Sequence, residues 1–138
     1  TLRNSSAASD VYKRQSLFGA PSYYAARAMA DRGEDIYFYH FNQKPSGKAG
    51  EILGAFHASE IAYVFGAGGL GPIEDPELSR IMLAYWTNFS KIGNPNGDDI
   101  PEWETMKLNK DTWHLLGPKI GQENISRMNI YNLLRRIS

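Results

Sequence analysis

The sequence predicts an α/β fold, on three observations. A helical segment leads through a short turn into a strand with apolar and aromatic side chains on both faces. A long amphipathic helix with its own start and stop signals follows. Short extended pieces lie beyond it. Helices alternating with strands are the pattern of a sheet covered by helices.

Residues 21–32 read as the first helix. Pro21 suits a first turn, where the missing N–H has no partner to lose, and Gly33 can close the helix in a left-handed cap. Ile36-Tyr37-Phe38-Tyr39-His40-Phe41 follows. Its β-branched and aromatic residues point to both faces, as in a strand buried on two sides. Residues 44–50, with Pro45, Ser46, Gly47 and Gly50, read as a loop. Ile61, Val64 and Phe65 stand at i, i+3 and i+4 and predict a short helix after His57. Residues 66–72 are glycine-rich and turn the chain.

The clearest helix covers residues 76–92. Asp75 can cap it, Pro76 fits its first position, and Gly93 and Pro95 end it. Leu78, Ile81, Met82, Tyr85, Phe89 and Ile92 form one apolar face. Two extended pieces, residues 106–108 and 113–115, can pair through Asn109-Lys110-Asp111. Asn124 can cap a last helix carrying Ile125, Met128, Tyr131, Leu134 and Ile137.

The start of the chain differs from the rest. Asn4-Ser5-Ser6-Ala7-Ala8-Ser9 is small and polar without a pattern, and Asp10-Val11-Tyr12-Lys13-Arg14-Gln15 is similar to a translated transposon adapter. Residues 1–15 are therefore expected to be a non-native or disordered leader, with residues 16–138 forming one domain segment. Slow amide exchange across residues 10–15 would instead place them inside the fold.

With 138 residues the chain is one domain at most. Lys plus Arg number 15 and Asp plus Glu number 15, so no net charge draws the chain to nucleic acid or to an anionic membrane. The absence of cysteine removes disulfides, thiolate metal sites and a cysteine nucleophile. No run of about 18 apolar residues exists to span a membrane. Gly66-Ala67-Gly68-Gly69-Leu70-Gly71 lacks the lysine of a phosphate-binding loop, and no two histidines have zincin spacing, so no cofactor or metal is expected. Asn88-Phe89-Ser90 and Asn124-Ile125-Ser126 match the glycosylation pattern, which is frequent by chance.

Three histidines remain. His40 lies in the two-sided strand and His114 in an alternating extended piece, and both read as structural. His57 stands in Gly54-Ala55-Phe56-His57-Ala58-Ser59-Glu60, after a loop and before an apolar turn. Small neighbours let other backbone approach, which suits a general base as well as a packed core histidine.

The stretch from Gly54 through His57 to Ile61-Ala62-Tyr63-Val64-Phe65-Gly66 resembles the histidine segment of type-B carboxylesterases and cholinesterases. Ile36-Tyr37-Phe38-Tyr39-His40-Phe41 resembles the core strand before it. Tyr85-Trp86-Thr87-Asn88-Phe89-Ser90 with Gly93-Asn94-Pro95-Asn96-Gly97 resembles the family's late helix and its ending. Ala58 stands where glycine is commoner, and Glu104-Thr105-Met106 departs from the usual continuation.

The resemblance implies the C-terminal portion of an α/β-hydrolase fold: last core strands, histidine loop and closing helices. It implies a carboxylic ester as small-molecule substrate and a Ser-Glu/Asp-His triad, of which this chain supplies His57. The family's serine elbow, oxyanion glycines and acidic triad member have no counterpart here, because this fold places serine and acid before the histidine. The chain is thus expected to need the N-terminal part of its own domain. Glu60 is a candidate carboxylate supporting the histidine, and Phe56 and Ile61 are candidates to line the substrate pocket. A cholinesterase-like binding or adhesion protein without the nucleophile is the alternative, and an independent small binding module is a third reading.

Overall fold

The computed structural model describes residues 19–56, 58–66, 73–107 and 110–125. Among the described residues four helices and three strands follow one another: α1 (Ala20–Ala30), β1 (Tyr39–Phe41), α2 (Gly47–Leu53), α3 (Glu60–Phe65), α4 (Pro76–Ile92), β2 (Thr112–Leu116) and β3 (Gly121–Asn124). Among the described residues the sheet has the order β1-β2-β3. β1 and β2 run parallel, with Tyr39 opposite His114, His40 opposite Leu115 and Phe41 opposite Leu116. Two parallel strands need a long crossover, and α2, α3 and α4 provide it, as an α/β fold requires. No helix among the described residues is long and apolar enough to cross a membrane.

The contacts divide the described residues into two compact units. One is drawn from 19–38, 105–113 and 123–125, the other from 39–104 and 114–122.

In the first unit, α1 buries Ala20, Tyr23, Ala26 and Ala30 on one face. Three alanines on that face let Met106, Ile125, Ile36, Phe38 and Trp113 pack close to the helix backbone. Arg27 ties the helix to the residues around 107–111. Its Nη1 donates to the Lys107 carbonyl at 2.9 Å and to Asp111 Oδ1 at 3.3 Å, while its Nε donates to Asp31 at 3.0 Å. Gly33, at φ +87°, closes the helix as expected.

The expected strand over residues 36–41 is shorter in the structure. Only Tyr39–Phe41 pairs with β2, because the Ile36 carbonyl accepts the Met106 N–H at 2.8 Å and Phe38 packs in the first unit's core. The expected hairpin between residues 106–108 and 113–115 is also corrected. β2 has β1 and β3 as neighbours, and the bridge from Lys107 to Lys110 closes only a local turn. Asn124 is the last residue of β3, and the helix expected after it falls on residues 126–138, outside the described residues.

In the second unit, α4 follows its sequence signals closely. Asp75 accepts the Leu78 N–H at 3.0 Å, and Gly93 closes the other end at φ +71°. Leu78, Ile81, Met82 and Tyr85 are buried. Full burial of Leu78 and Met82 contributes roughly 1.5–3 kcal/mol each. Phe89 and Ile92, on the same predicted stripe, are exposed.

Residues 44–50 were expected to be a loop, yet α2 starts at Gly47. Glu74, 28 residues away, accepts the Ser46 N–H at 2.7 Å and the Ser46 hydroxyl at 3.0 Å, which holds the helix entrance. Gly50 is required there: a Cβ would run into the Pro45 carbonyl.

Asn88 closes the loop after α4 by donating from Nδ2 to the carbonyls of Pro95 and Asn96, both at 3.2 Å. Asn96 in turn pairs twice with the Trp103 backbone, at 2.7 and 3.0 Å. Asn88→Asp keeps the shape and removes the donor. It is expected to cost about 1–3 kcal/mol in a urea melt, and an unchanged midpoint would show the loop to be closed by other means.

Candidate active site

The histidine segment hangs between β1 and α4. After Phe41 the pairing with β2 continues for one residue, Asn42 N–H to Leu116 carbonyl at 2.9 Å. α2 then carries the chain to Gly54, at φ +60°. Beyond the segment, α3 is fixed in two ways. The Ser79 hydroxyl of α4 donates to the Tyr63 carbonyl at 2.8 Å, and the Tyr63 ring lies 5.5 Å from that of Phe41.

Between these anchors the backbone makes a closed turn. The Ser59 N–H donates to the Phe56 carbonyl at 3.1 Å, the i to i+3 bond of a β-turn. The Ser59 hydroxyl donates to the same carbonyl at 2.6 Å. Ala58, third residue of the turn, has φ +68°, a region that side-chain-bearing residues rarely enter. Its carbonyl accepts the Ile61 N–H at 3.2 Å, which starts α3.

His57 itself lies outside the described residues. Phe56 and Glu60 are half-buried, whereas Ile61 is 41% exposed. α3 turns Ala62, Tyr63 and Val64 inward, so the face expected from Ile61, Val64 and Phe65 is buried only at Val64. Glu60 lies near β1: burial first, and then the Glu60 carboxylate, raises the Tyr39 hydroxyl above its ordinary pKa. No group of three or more His, Asp or Glu side chains that could hold a metal ion occurs among the described residues.

Tyr39 also edges onto Trp86, at 5.3 Å between ring centroids, and onto Trp103, at 6.0 Å. Trp103 stacks on His114 at 4.9 Å with the planes 13° apart. His114 is fully buried, and its Nε2 meets the Tyr85 hydroxyl at 3.0 Å. That hydroxyl donates to the Pro101 carbonyl at 2.6 Å. Burial pushes the His114 pKa down to about 4, with the Gln122 side chain acting in the other direction. A ring stacked in the core and kept neutral fills the structural role expected of His114. His40 is exposed.

Neither the bond of the Ser59 hydroxyl to Phe56 nor the conformation of Ala58 is expected from the sequence. The one signal was the alanine at a position where glycine is commoner.

Comparison with known proteins agrees with this architecture. The profile of the Carboxylesterase family matches residues 3–132. A medium-chain fatty acyl-CoA hydrolase precursor of Anas platyrhynchos is 43% identical over 100 residues, 68% of this chain and 18% of that protein. Carboxylesterase 5A of Homo sapiens is 35% identical over 119 residues, 77% of this chain and 21% of that protein. The chain thus spans about a fifth of the length of these relatives. Among solved structures, a PNB esterase superposes with a TM-score of 0.60 at 28% identity, covering 72% of this chain and 21% of the other. An esterase from Clostridium hathewayi superposes with a TM-score of 0.64 at 23% identity, covering 79% and 22%, and speaks for the fold alone. The chain belongs to the carboxylesterase family, as the C-terminal portion of its α/β-hydrolase fold.

Proposed function

We propose that this chain supplies the general base, His57, of a serine carboxylesterase whose nucleophile, acidic partner and oxyanion donors come from the N-terminal part of the same domain. The observation that carries the reading is the pair of Ser59 bonds to the Phe56 carbonyl within the segment that resembles the family's histidine motif.

In this reading the serine hydroxyl attacks the ester carbonyl and His57 takes its proton. His57 then returns the proton to the leaving alcohol, and water repeats the sequence on the acyl-enzyme. The acidic partner holds the imidazole in its working tautomer and stabilises the imidazolium. Glu60, whose charge acts on the Tyr39 hydroxyl at the start of β1, is our candidate for a carboxylate that supports the loop electrostatically. Phe56 and Ile61 are available to line the acyl or alcohol pocket.

The purified 138-residue chain alone is expected to hydrolyse a p-nitrophenyl ester no faster than a buffer control, since it lacks nucleophile and oxyanion donors. Joined to the remainder of its domain it should turn the ester over with saturation. Saturable turnover by the chain alone, lost on His57→Ala, would overturn the division of labour.

A further inference from the structure

We propose that Ser59 is a positioning residue: its hydroxyl holds the histidine turn closed against the strain of a left-handed Ala58. The inference rests on the general-base reading of His57.

The turn carries a cost and a clasp at neighbouring positions. At φ +68° the methyl group of Ala58 crowds its own backbone, a conflict that glycine avoids. Left to itself, a turn with alanine there tends to open toward ordinary negative φ. Opening would separate Ser59 from Phe56, the two described residues that flank His57 and Ala58. Two donors of one residue oppose this. The N–H and the hydroxyl of Ser59 both end on the Phe56 carbonyl, at 3.1 and 2.6 Å. Phe56 and Ser59 are the residues that bracket His57 and Ala58, so the second bond stiffens the unit that must aim the imidazole.

Among the described residues the hydroxyl's one partner is the Phe56 carbonyl. Ser59 stands at the N-cap position of α3, yet its side chain does not cap that helix; it turns back toward Phe56. Capping would stabilise α3, whereas the observed bond stabilises the turn. The two roles predict different results.

The test is a cycle of variants in the complete esterase, read by kcat, KM and thermal midpoint on a p-nitrophenyl ester. Ser59→Ala is expected to lower kcat roughly 10-fold with KM unchanged, since loss of orientation acts on the chemical step. Ser59→Thr, which keeps the hydroxyl, should recover most of that loss. In an Ala58→Gly background the same Ser59→Ala change should cost less than about twofold, because glycine removes the strain the hydroxyl opposes. Wild-type kcat in Ser59→Ala would overturn the proposal, and so would an equal loss in both backgrounds. If Ser59→Ala alone does not fold, the proposal requires that the Ala58→Gly, Ser59→Ala double variant does, and failure of that variant refutes it. His57→Gln separates the two readings. Turnover surviving that change sinks the general-base assignment, whereas an inactive His57→Gln beside a fully active Ser59→Ala sinks only the role of Ser59.

Discussion

In the complete enzyme, His57→Gln is expected to lower kcat on the order of 10⁶-fold, the scale of loss when a serine hydrolase is deprived of its histidine. Glutamine is of similar size and stays polar, but it neither accepts the serine proton nor returns it to the leaving alcohol. The fold should persist, with a thermal midpoint within a few degrees of the wild type. His40→Gln is the internal control. His40 is exposed on the short strand β1, and its replacement should leave most of the turnover. Ester hydrolysis and melting of both variants decide the matter. Near-normal turnover in folded His57→Gln would sink the general-base assignment and leave His57 a structural residue.

Acid should unfold the protein through a different histidine. His114 is held neutral, with its pKa near 4 in the fold against about 6.5 in an unfolded chain. The groups packed on it are Tyr85, Trp103 and Gln122, all uncharged. A depressed pKa means that the unfolded chain takes up the proton first. The stabilisation is therefore complete above pH 6.5 and is lost as the pH falls from 6.5 to about 4. Across that window the loss amounts to about 3 kcal/mol. Urea melts of the complete protein at pH 7.5, 5.5 and 4.5 should show this decline. His114→Gln should be less stable at pH 7.5, having lost the stacked ring on Trp103, and flatter across the window. A wild-type decline no steeper than that of His114→Gln would remove His114 as the cause.

Legibility in the sequence followed how local each interaction is. α4 was readable to the residue because Asp75, Pro76 and Gly93 act within the helix they bound. α2 was not, because its entrance is held by Glu74 from across a long stretch of chain, while its own composition is that of a loop. β3, Gly121–Asn124, contains no β-branched or aromatic residue and exists by virtue of its place beside β2. The strand over residues 36–41 looked uniform, yet a single backbone bond from Met106 to Ile36 assigns its first half elsewhere.

The candidate site divided the same way. The histidine motif was legible by family resemblance, because it repeats residue types at fixed spacing. The Ser59 clasp was not, because a hydroxyl's choice between capping α3 and closing the preceding turn depends on backbone angles that residue types do not display.

The parallel register of β1 and β2 also has a consequence for the protein's birth on the ribosome. Tyr39 faces His114, 75 positions later in the chain. At roughly 5–20 residues per second, some 4–15 s of translation separate the synthesis of the two residues. During that interval β1 has emerged without its neighbour, and Tyr39, Phe41 and Trp86 have no ring of Trp103 or backbone of β2 to rest against. Contacts this distant in sequence form late and leave nascent strands open to association with other chains. Slowing elongation between codons 41 and 112 should therefore lower the soluble yield, whereas supplying a trigger-factor type of chaperone during that window should restore it.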